Sequence, residues 1–129
     1  MKIDVTQVLR NYEDKPIFEE VRKRDTMGKS LKDEDGQYLL EEKELTLRSV
    51  ITTALLSSEP QKVRTPEDKS QANQILRKVW AKKEVDLSVK ERGYIIEKVG
   101  IFFNPLILGR VEEVLEERGG ENAVIQSKN

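Results

Sequence analysis

The spacing of hydrophobic residues along the chain changes near residue 45. Before that point apolar residues are scattered, and the stretch 22–30 carries almost nothing that a core could bury. Beyond it they recur at the helical spacing of three and four residues, first at Leu47, Val50, Ile51, Ala54 and Leu55. The pattern predicts a helical domain over 45–118, an N-terminal segment over 1–44 with a solvated loop at 22–30, and a flexible tail over 119–129.

Capping residues mark the starts of four helices. Thr46 precedes the first apolar stripe, and Thr65, with a proline after it, opens the second. Ser88 and Glu91 form a capping box, and Asn104 precedes another first-turn proline. We therefore expect a mainly α fold with a minor β part: three to four packed amphipathic helices preceded by a small β-hairpin or an extended N-terminal segment.

The N-terminal segment carries weaker strand signals. Ile3 and Val5 alternate with polar residues, and the acidic stretch 33–37 is a turn signature. A hairpin or an edge pair of strands is the favoured interpretation. A short helix over 4–12, capped by Asp4, is the alternative. No internal repeat is visible.

Composition narrows the possible chemistry. The 129 residues include no histidine and no cysteine, which removes zinc sites, Ser-His-Asp triads and thiol nucleophiles. Hydrophobic and charged residues each make up 36% of the chain, so the core is lean, and we expect a partner or an oligomer to share in the stability. We expect no enzymatic reaction, no cofactor and no metal.

Two acidic clusters fit a cation site poorly. The turn at 33–36 has three consecutive acids, whereas an EF-hand loop alternates its ligands and needs a glutamate at its twelfth position. The second cluster consists of Glu112, Glu113, Glu116 and Glu117. It lacks a histidine that would complete a metal centre on a helix. We interpret it as a solvent-facing strip, with an electrostatic docking face as the alternative.

A glycine, Gly93, falls in the middle of the third predicted helix. Glycine there costs about 1 kcal/mol relative to alanine. We therefore expect another helix to pass close to it, and a ligand that approaches the backbone is the alternative.

Basic residues concentrate between residues 62 and 92, where nine cations stand against five acids. An exposed aromatic ring within such a face is what single-strand stacking requires, and Trp80 lies among these cations. Trp80 also falls in register with the apolar stripe of its helix, which favours a core position. A nucleic-acid site is thus the alternative hypothesis, with the candidate residues Arg77, Lys78, Trp80, Lys82 and Lys83.

Two aromatic residues, Phe102 and Phe103, lie in an apolar linker between the third and fourth helices. Such a linker is either folded into the core or exposed as a docking patch, and with so lean a core we favour burial. Large rigid aromatics dominate interface energetics, so both residues are candidates for a protein interface. Glu112 and Glu116 are the candidate acidic contacts of that interface.

Several short stretches together resemble a known group of proteins. They are Val5-Thr6-Gln7-Val8-Leu9, Val85-Asp86-Leu87-Ser88, Ile96-Glu97-Lys98-Val99-Gly100, and the ranges 35–36, 45–50, 54–56, 105–110 and 113–116. In this combination the chain resembles small uncharacterised proteins encoded by tailed bacteriophages and prophages, over most of its length except 15–31 and the tail. The resemblance implies a phage setting in the host cytoplasm and brings no catalytic residues.

Binding is the function that these observations favour. We expect a non-catalytic, phage-type accessory protein that acts through protein-protein contacts and self-associates. A nucleic-acid-binding regulator that uses the region 62–92 is the alternative. No run approaches the ~18 apolar residues of a membrane span, and the first residues lack the apolar stretch of a signal peptide. We therefore expect a cytoplasmic protein with no membrane partner.

Overall fold

Two small antiparallel sheets accompany four helices in the computed structural model, which describes residues 2–116. The structure is 44% helical and 21% strand, an α+β arrangement, so the prediction of a mainly α fold is wrong. The share of strand was underestimated because no residue of the longer pair, β2 with β3, is buried. Without a buried face, a strand shows no hydrophobic alternation.

The elements follow one another in the order β1, β2, β3, α1, α2, β4, α3, α4. The strands are β1 (Lys2–Asp4), β2 (Phe18–Arg22), β3 (Leu40–Glu44) and β4 (Glu84–Asp86). The helices are α1 (Leu47–Leu56), α2 (Pro66–Ala81), α3 (Val89–Phe102) and α4 (Pro105–Leu115). Strand β1 pairs antiparallel with β4, and β2 pairs antiparallel with β3. The alternative of a helix over 4–12 is therefore wrong.

All four predicted helix starts are confirmed. The side chains of Thr46, Thr65 and Asn104 each accept a hydrogen bond from the backbone N–H three residues later. Ser88 and Glu91 form the reciprocal capping box. Each cap satisfies donors that the first turn of a helix leaves without a partner, and this fixes where the helix begins.

The hydrophobic core joins the helices to the two short strands β1 and β4. Helix α1 packs against α2 and α3, and α3 packs against α4. The fully buried large side chains are Val5, Leu47, Val50, Ile51, Leu55, Ile75, Val79, Leu87, Ile95, Val99, Val111 and Leu115. Within the described chain, no residue from 10 to 44 is buried. That segment therefore adds almost nothing to the hydrophobic core.

Residues 18–44 form an arm that extends from this core. Its stem is the β2–β3 pair, in register from Phe18 opposite Glu44 to Arg22 opposite Leu40. Beyond the stem, every residue between 23 and 39 except Ser30 is exposed. The predicted solvated loop at 22–30 is thus exposed, but hydrogen bonding organises it.

Three copies of one tight turn occur at 11–15, 25–29 and 33–37. Each begins with Asn11, Asp25 or Asp33, whose side-chain oxygen accepts hydrogen bonds from the backbone N–H groups two and four residues later, at 2.9 to 3.1 Å. The fourth residue has a positive φ: 64° at Asp14, 83° at Gly28 and 81° at Gly36. This is the three-residue hairpin loop that ends in a left-handed residue. The chain therefore contains an internal repeat, contrary to the sequence prediction.

Closed rings of three backbone hydrogen bonds hold these turns together. At the far end of the arm, Lys23 N donates to Leu39 O, Leu39 N to Leu31 O, and Leu31 N to Lys23 O, at 2.8 to 3.0 Å. A matching ring joins Leu9, Leu45 and Ile17 where the arm meets the core. Each ring is a junction of three hairpin ends. The arm is thus ordered by backbone hydrogen bonding rather than by burial.

Gly93 lies in helix α3 without the close helix packing that the sequence led us to expect. A Cβ added at Gly93 meets nothing within 4 Å, so the prediction of close packing there was wrong.

Gly93→Ala should therefore raise the free energy of unfolding by about 0.5–1 kcal/mol through helix propensity alone. Urea denaturation monitored by circular dichroism would measure it. As a control, Gly36→Ala also enters open space, but at a φ of +81° it should give no gain. Equal stabilisation at both positions would contradict this account.

Candidate functional site

Exposed hydrophobic side chains concentrate on the arm. Of the twelve large hydrophobic residues that are exposed among residues 2–116, six lie there: Phe18, Met27, Leu31, Tyr38, Leu39 and Leu40. Met27, at the tip of one turn, is 89% exposed. Aromatic residues and methionine are the types enriched at protein interfaces. The arm is therefore the first candidate for a docking element. Sequence analysis missed it because 22–30 was interpreted as a solvated loop and the rest of the arm as a small hairpin or extended segment without a binding role.

The two faces of the stem differ in their surroundings. Glu19 Oε2 accepts a hydrogen bond from Ser49 Oγ of α1 at 2.5 Å, so this face is turned toward the core. The opposite face, here called the outer face, consists of Phe18, Glu20, Arg22, Leu40, Glu42 and Glu44, all of them exposed. The outer face is the one available to a partner.

Negative charge on the outer face lacks a counter-ion. Glu20 lies directly opposite Glu42 in the strand register, and like charges in that position repel. Arg22, a cation on the same face, lies over the Tyr38 ring at 3.6 Å from its centroid. Among residues 2–116, no cation forms an ion pair with Glu20, Glu42 or Glu44. A cationic partner would relieve this repulsion.

Trp80 lies at the surface, with 57% of the residue exposed. The core position that the periodicity favoured is therefore wrong. The indole N–H donates to Thr52 Oγ1 of α1 at 2.9 Å, and the Arg48 guanidinium lies 4.8 Å from the ring centroid. Trp80 thus lies against Arg48 and Thr52, which are one turn apart on α1.

Arg48 holds the end of α2 beneath this ring. Its Nε donates to Val79 O and its Nη2 to Lys82 O, both at 2.9 Å. These carbonyls lie at the C-terminal end of α2, where a cation is favourable to the helix dipole. The indole is thereby fixed between two helices instead of moving freely.

The predicted nucleic-acid residues divide between two sides of α2. Arg77, Lys82 and Lys83 are exposed near Trp80, whereas Lys78 Nζ pairs with Glu91 of α3 at 2.9 Å. No acidic residue occurs in the sequence from 69 to 83. We call the cationic surface at this end of α2 the Trp80 patch; it consists of the half-buried Arg48 and of the exposed Leu56, Arg77, Trp80, Lys82 and Lys83.

The predicted interface residues Phe102 and Phe103 are half-buried. Phe103 packs against the core, and Phe102 lines a cavity of about 210 Å³ beside Asp68 and Lys98. Burial, the favoured interpretation, agrees with these positions. They leave less aromatic surface for a partner than the arm does.

The acidic residues of α4 are also half-buried, so the prediction of a solvent-facing strip is wrong for the described ones. Glu112 and Glu116 lie one turn apart on the helix. Glu113 pairs with Arg110 at 3.0 Å, and Arg110 Nε donates to Arg10 O at 2.8 Å. The strip therefore helps to attach the N-terminal segment to α4. Glu117 and the predicted tail lie outside the described residues.

A polar cluster, Asp68, Arg64, Tyr94 and Lys98, joins α2 to α3 and was not foreseen. The Tyr94 hydroxyl donates to Asp68 Oδ1 at 2.5 Å, and Arg64 Nε donates to Asp68 Oδ2 at 2.5 Å. Lys98 Nζ lies 3.5 Å from Asp68 Oδ1. Arg64 and Asp68 are four residues apart, as are Tyr94 and Lys98, but the contacts that join the two pairs span 26 residues or more and follow from no local spacing.

The cluster shifts the titration of both of its acidic groups. Hydrogen bonds from Tyr94 and then Arg64 lower the pKa of Asp68 to about 2. Burial, followed by the hydrogen bond to Asp68, raises the pKa of Tyr94 to about 12. Near neutral pH the carboxylate thus stays ionised and the phenol stays neutral, which suits a structural network better than proton transfer.

The acidic turn at 33–37 uses its carboxylate on its own backbone, since Asp33 accepts hydrogen bonds from Asp35 N and Gln37 N. Across residues 2–116, no three acidic side chains lie close enough to hold a metal ion. No helix in the described part of the chain is long and apolar enough to cross a membrane.

Comparison of the chain with known protein families, with curated proteins and with solved structures gave no match. The phage setting implied by the resemblance therefore stays a prediction.

The Asp68 cluster predicts a specific pH dependence of stability. Because the folded pKa of about 2 lies below the ordinary 3.8, the cluster stabilises the protein above about pH 4, and this contribution is lost as the pH falls toward 2. Asp68→Asn should lower the free energy of unfolding by ~2 kcal/mol at pH 7, with a much smaller difference at pH 2. Urea titrations at both pH values would measure this. Asp35→Asn, on the exposed arm, is the matched control and should change neither value.

Proposed function

We propose that this protein is a non-catalytic binding protein that acts through protein-protein contacts, with the arm 18–44 as its docking element. The observation that carries the proposal is an ordered, projecting arm that contributes no buried residue to the core. The arm instead carries half of the large hydrophobic residues that are exposed in the described part of the chain. Apolar surface held in water is unfavourable, so a partner that covers it gains free energy.

The construction of the arm favours tight binding. Its turns and ring junctions fix the backbone before any partner arrives. Ordering of loops on association opposes binding, and a preformed element avoids most of that entropy loss. Phe18, Tyr38 and Leu40 are thus presented on a framework that is already in place.

A protein is a better partner for the arm than a nucleic acid. The arm carries nine acidic and six basic residues, so its net charge repels phosphate. Its outer face combines acids with Phe18 and Leu40, which suits a cationic and partly apolar protein surface. The whole chain has a formal net charge of −1, which gives no general attraction to nucleic acid either.

Self-association and a cytoplasmic phage setting belong to the same proposal. The lean composition, with 36% hydrophobic residues, supports a protein that gains stability from a second copy. The lack of histidine and cysteine supports a role without a reaction of its own. The resemblance of the residue pattern to small phage proteins supports the phage setting.

Replacement of the arm tests the proposal. Leu45 N donates to Ile17 O at 2.7 Å, which is the hydrogen bond of a two-residue hairpin, so Asn-Gly can replace residues 18–44 between them. The wild type should self-associate at high micromolar concentration in sedimentation equilibrium, and the shortened protein should be monomeric. Its thermal unfolding should stay cooperative, because the core is intact. A monomeric wild type, or an unchanged association after replacement, would overturn the proposal.

A further inference from the structure

Two surfaces of opposite charge border the same helix. The stem begins beside α1, where Glu19 accepts a hydrogen bond from Ser49. Trp80 covers the next turn of α1 through its hydrogen bond to Thr52. The stem and the cationic Trp80 patch therefore border successive turns of one helix.

The two surfaces are complementary in composition. The outer face presents Glu20, Glu42 and Glu44, together with Phe18, which is 54% exposed. The Trp80 patch presents exposed cations around two apolar residues, Trp80 at 57% and Leu56 at 67% exposure. Each surface thus offers an apolar anchor within charges that match the other, which is the usual arrangement of a specific interface.

Contact between these surfaces within one molecule is prevented by the orientation of the stem. The face that carries Glu19 is turned toward α1, and successive side chains of a strand point to opposite sides. Glu20 and Glu42 therefore point away from the patch of their own chain. Among residues 2–116 no cation pairs with either carboxylate, so a second molecule can supply the counter-charge.

We propose that the outer face of the stem docks on the Trp80 patch of a second copy of this chain, and that the contact is reciprocal. This inference rests on the proposed function of the arm and names its partner. A two-fold dimer brings each stem onto the patch of the other copy, so both pairs of surfaces are covered at once. The repulsion between Glu20 and Glu42 is relieved by Arg77 and Lys82 of the second copy.

Charge reversal tests the pairing. One variant carries Glu20→Lys and Glu42→Lys, and the other carries Arg77→Glu and Lys82→Glu. Each should be monomeric alone, with the dimer dissociation constant raised at least tenfold, because like charges then face each other in both contacts. Mixed in equal amounts, the two variants should form a heterodimer, since both contacts regain opposite charges.

Sedimentation velocity on the separate and mixed variants, at low and high salt, would measure these outcomes. The wild-type dimer should weaken as salt rises. A matched control that carries Glu34→Lys and Asp35→Lys, also two reversed acids on the arm but in a distal turn, should dimerise like the wild type. Circular dichroism on each variant would verify that the fold is kept.

Four other results would overturn the inference. A dimer that depends on the arm but is insensitive to both charge reversals would leave the proposed function standing and refute this pairing. Loss of dimer in the distal-turn control would place the contact elsewhere on the arm. A monomeric wild type would refute both proposals. Quenching of Trp80 fluorescence by single-stranded oligothymidylate in a monomeric protein would instead identify the patch as a nucleic-acid site, and Trp80 is the single tryptophan of the chain.

Discussion

The ring of backbone hydrogen bonds among Leu9, Ile17 and Leu45 is the constraint on which the rest of the structure depends. Leu9 and Leu45 are buried, so the ring is anchored in the core, while the chain that leaves it at Ile17 contributes no buried side chain until it returns. Secondary structure without burial is normally marginal in water, because an isolated two-stranded hairpin buries too little surface. Here the anchored ring fixes both ends of the arm, and the repeated turns satisfy its backbone donors.

Because the arm is ordered without being buried, one part of the chain forms the hydrophobic core and another part forms an exposed surface. The helices and the β1–β4 pair supply the hydrophobic core, and the arm supplies surface. Charge is separated in the same way: acids without counter-ions lie on the outer face of the stem, and cations surround Trp80 at the end of α2. Such a distribution is unfavourable for a molecule alone and favourable for one that meets a complementary surface. The same separation explains why a chain with a formal net charge of −1 can still associate through charge.

Interactions within four residues were predicted well, and interactions across the chain were not. The caps at Thr46, Thr65, Ser88 and Asn104 were predicted because a cap and its donor lie three residues apart. The repeated turn was equally local. Each copy has a basic residue, then Asn or Asp, and three positions later a residue with positive φ. It was overlooked because Asp14 stands where the other copies have glycine. Trp80 and the cations around it were named as a candidate nucleic-acid face, but Trp80 itself was expected in the core and lies on the surface.

The sequence by itself determined where each helix begins, which side of α1 is buried, and which side-chain types the chain lacks. These properties depend on hydrophobic period and on neighbours along the chain. Only the tertiary structure decided that β1 pairs with β4, that the Asp68 cluster forms, and that Trp80 lies against Thr52, 28 residues away. The reason is physical: a helical stripe specifies which side of a helix is buried. The edge of that stripe is covered or exposed according to how the neighbouring helix crosses it, and no local pattern encodes that angle.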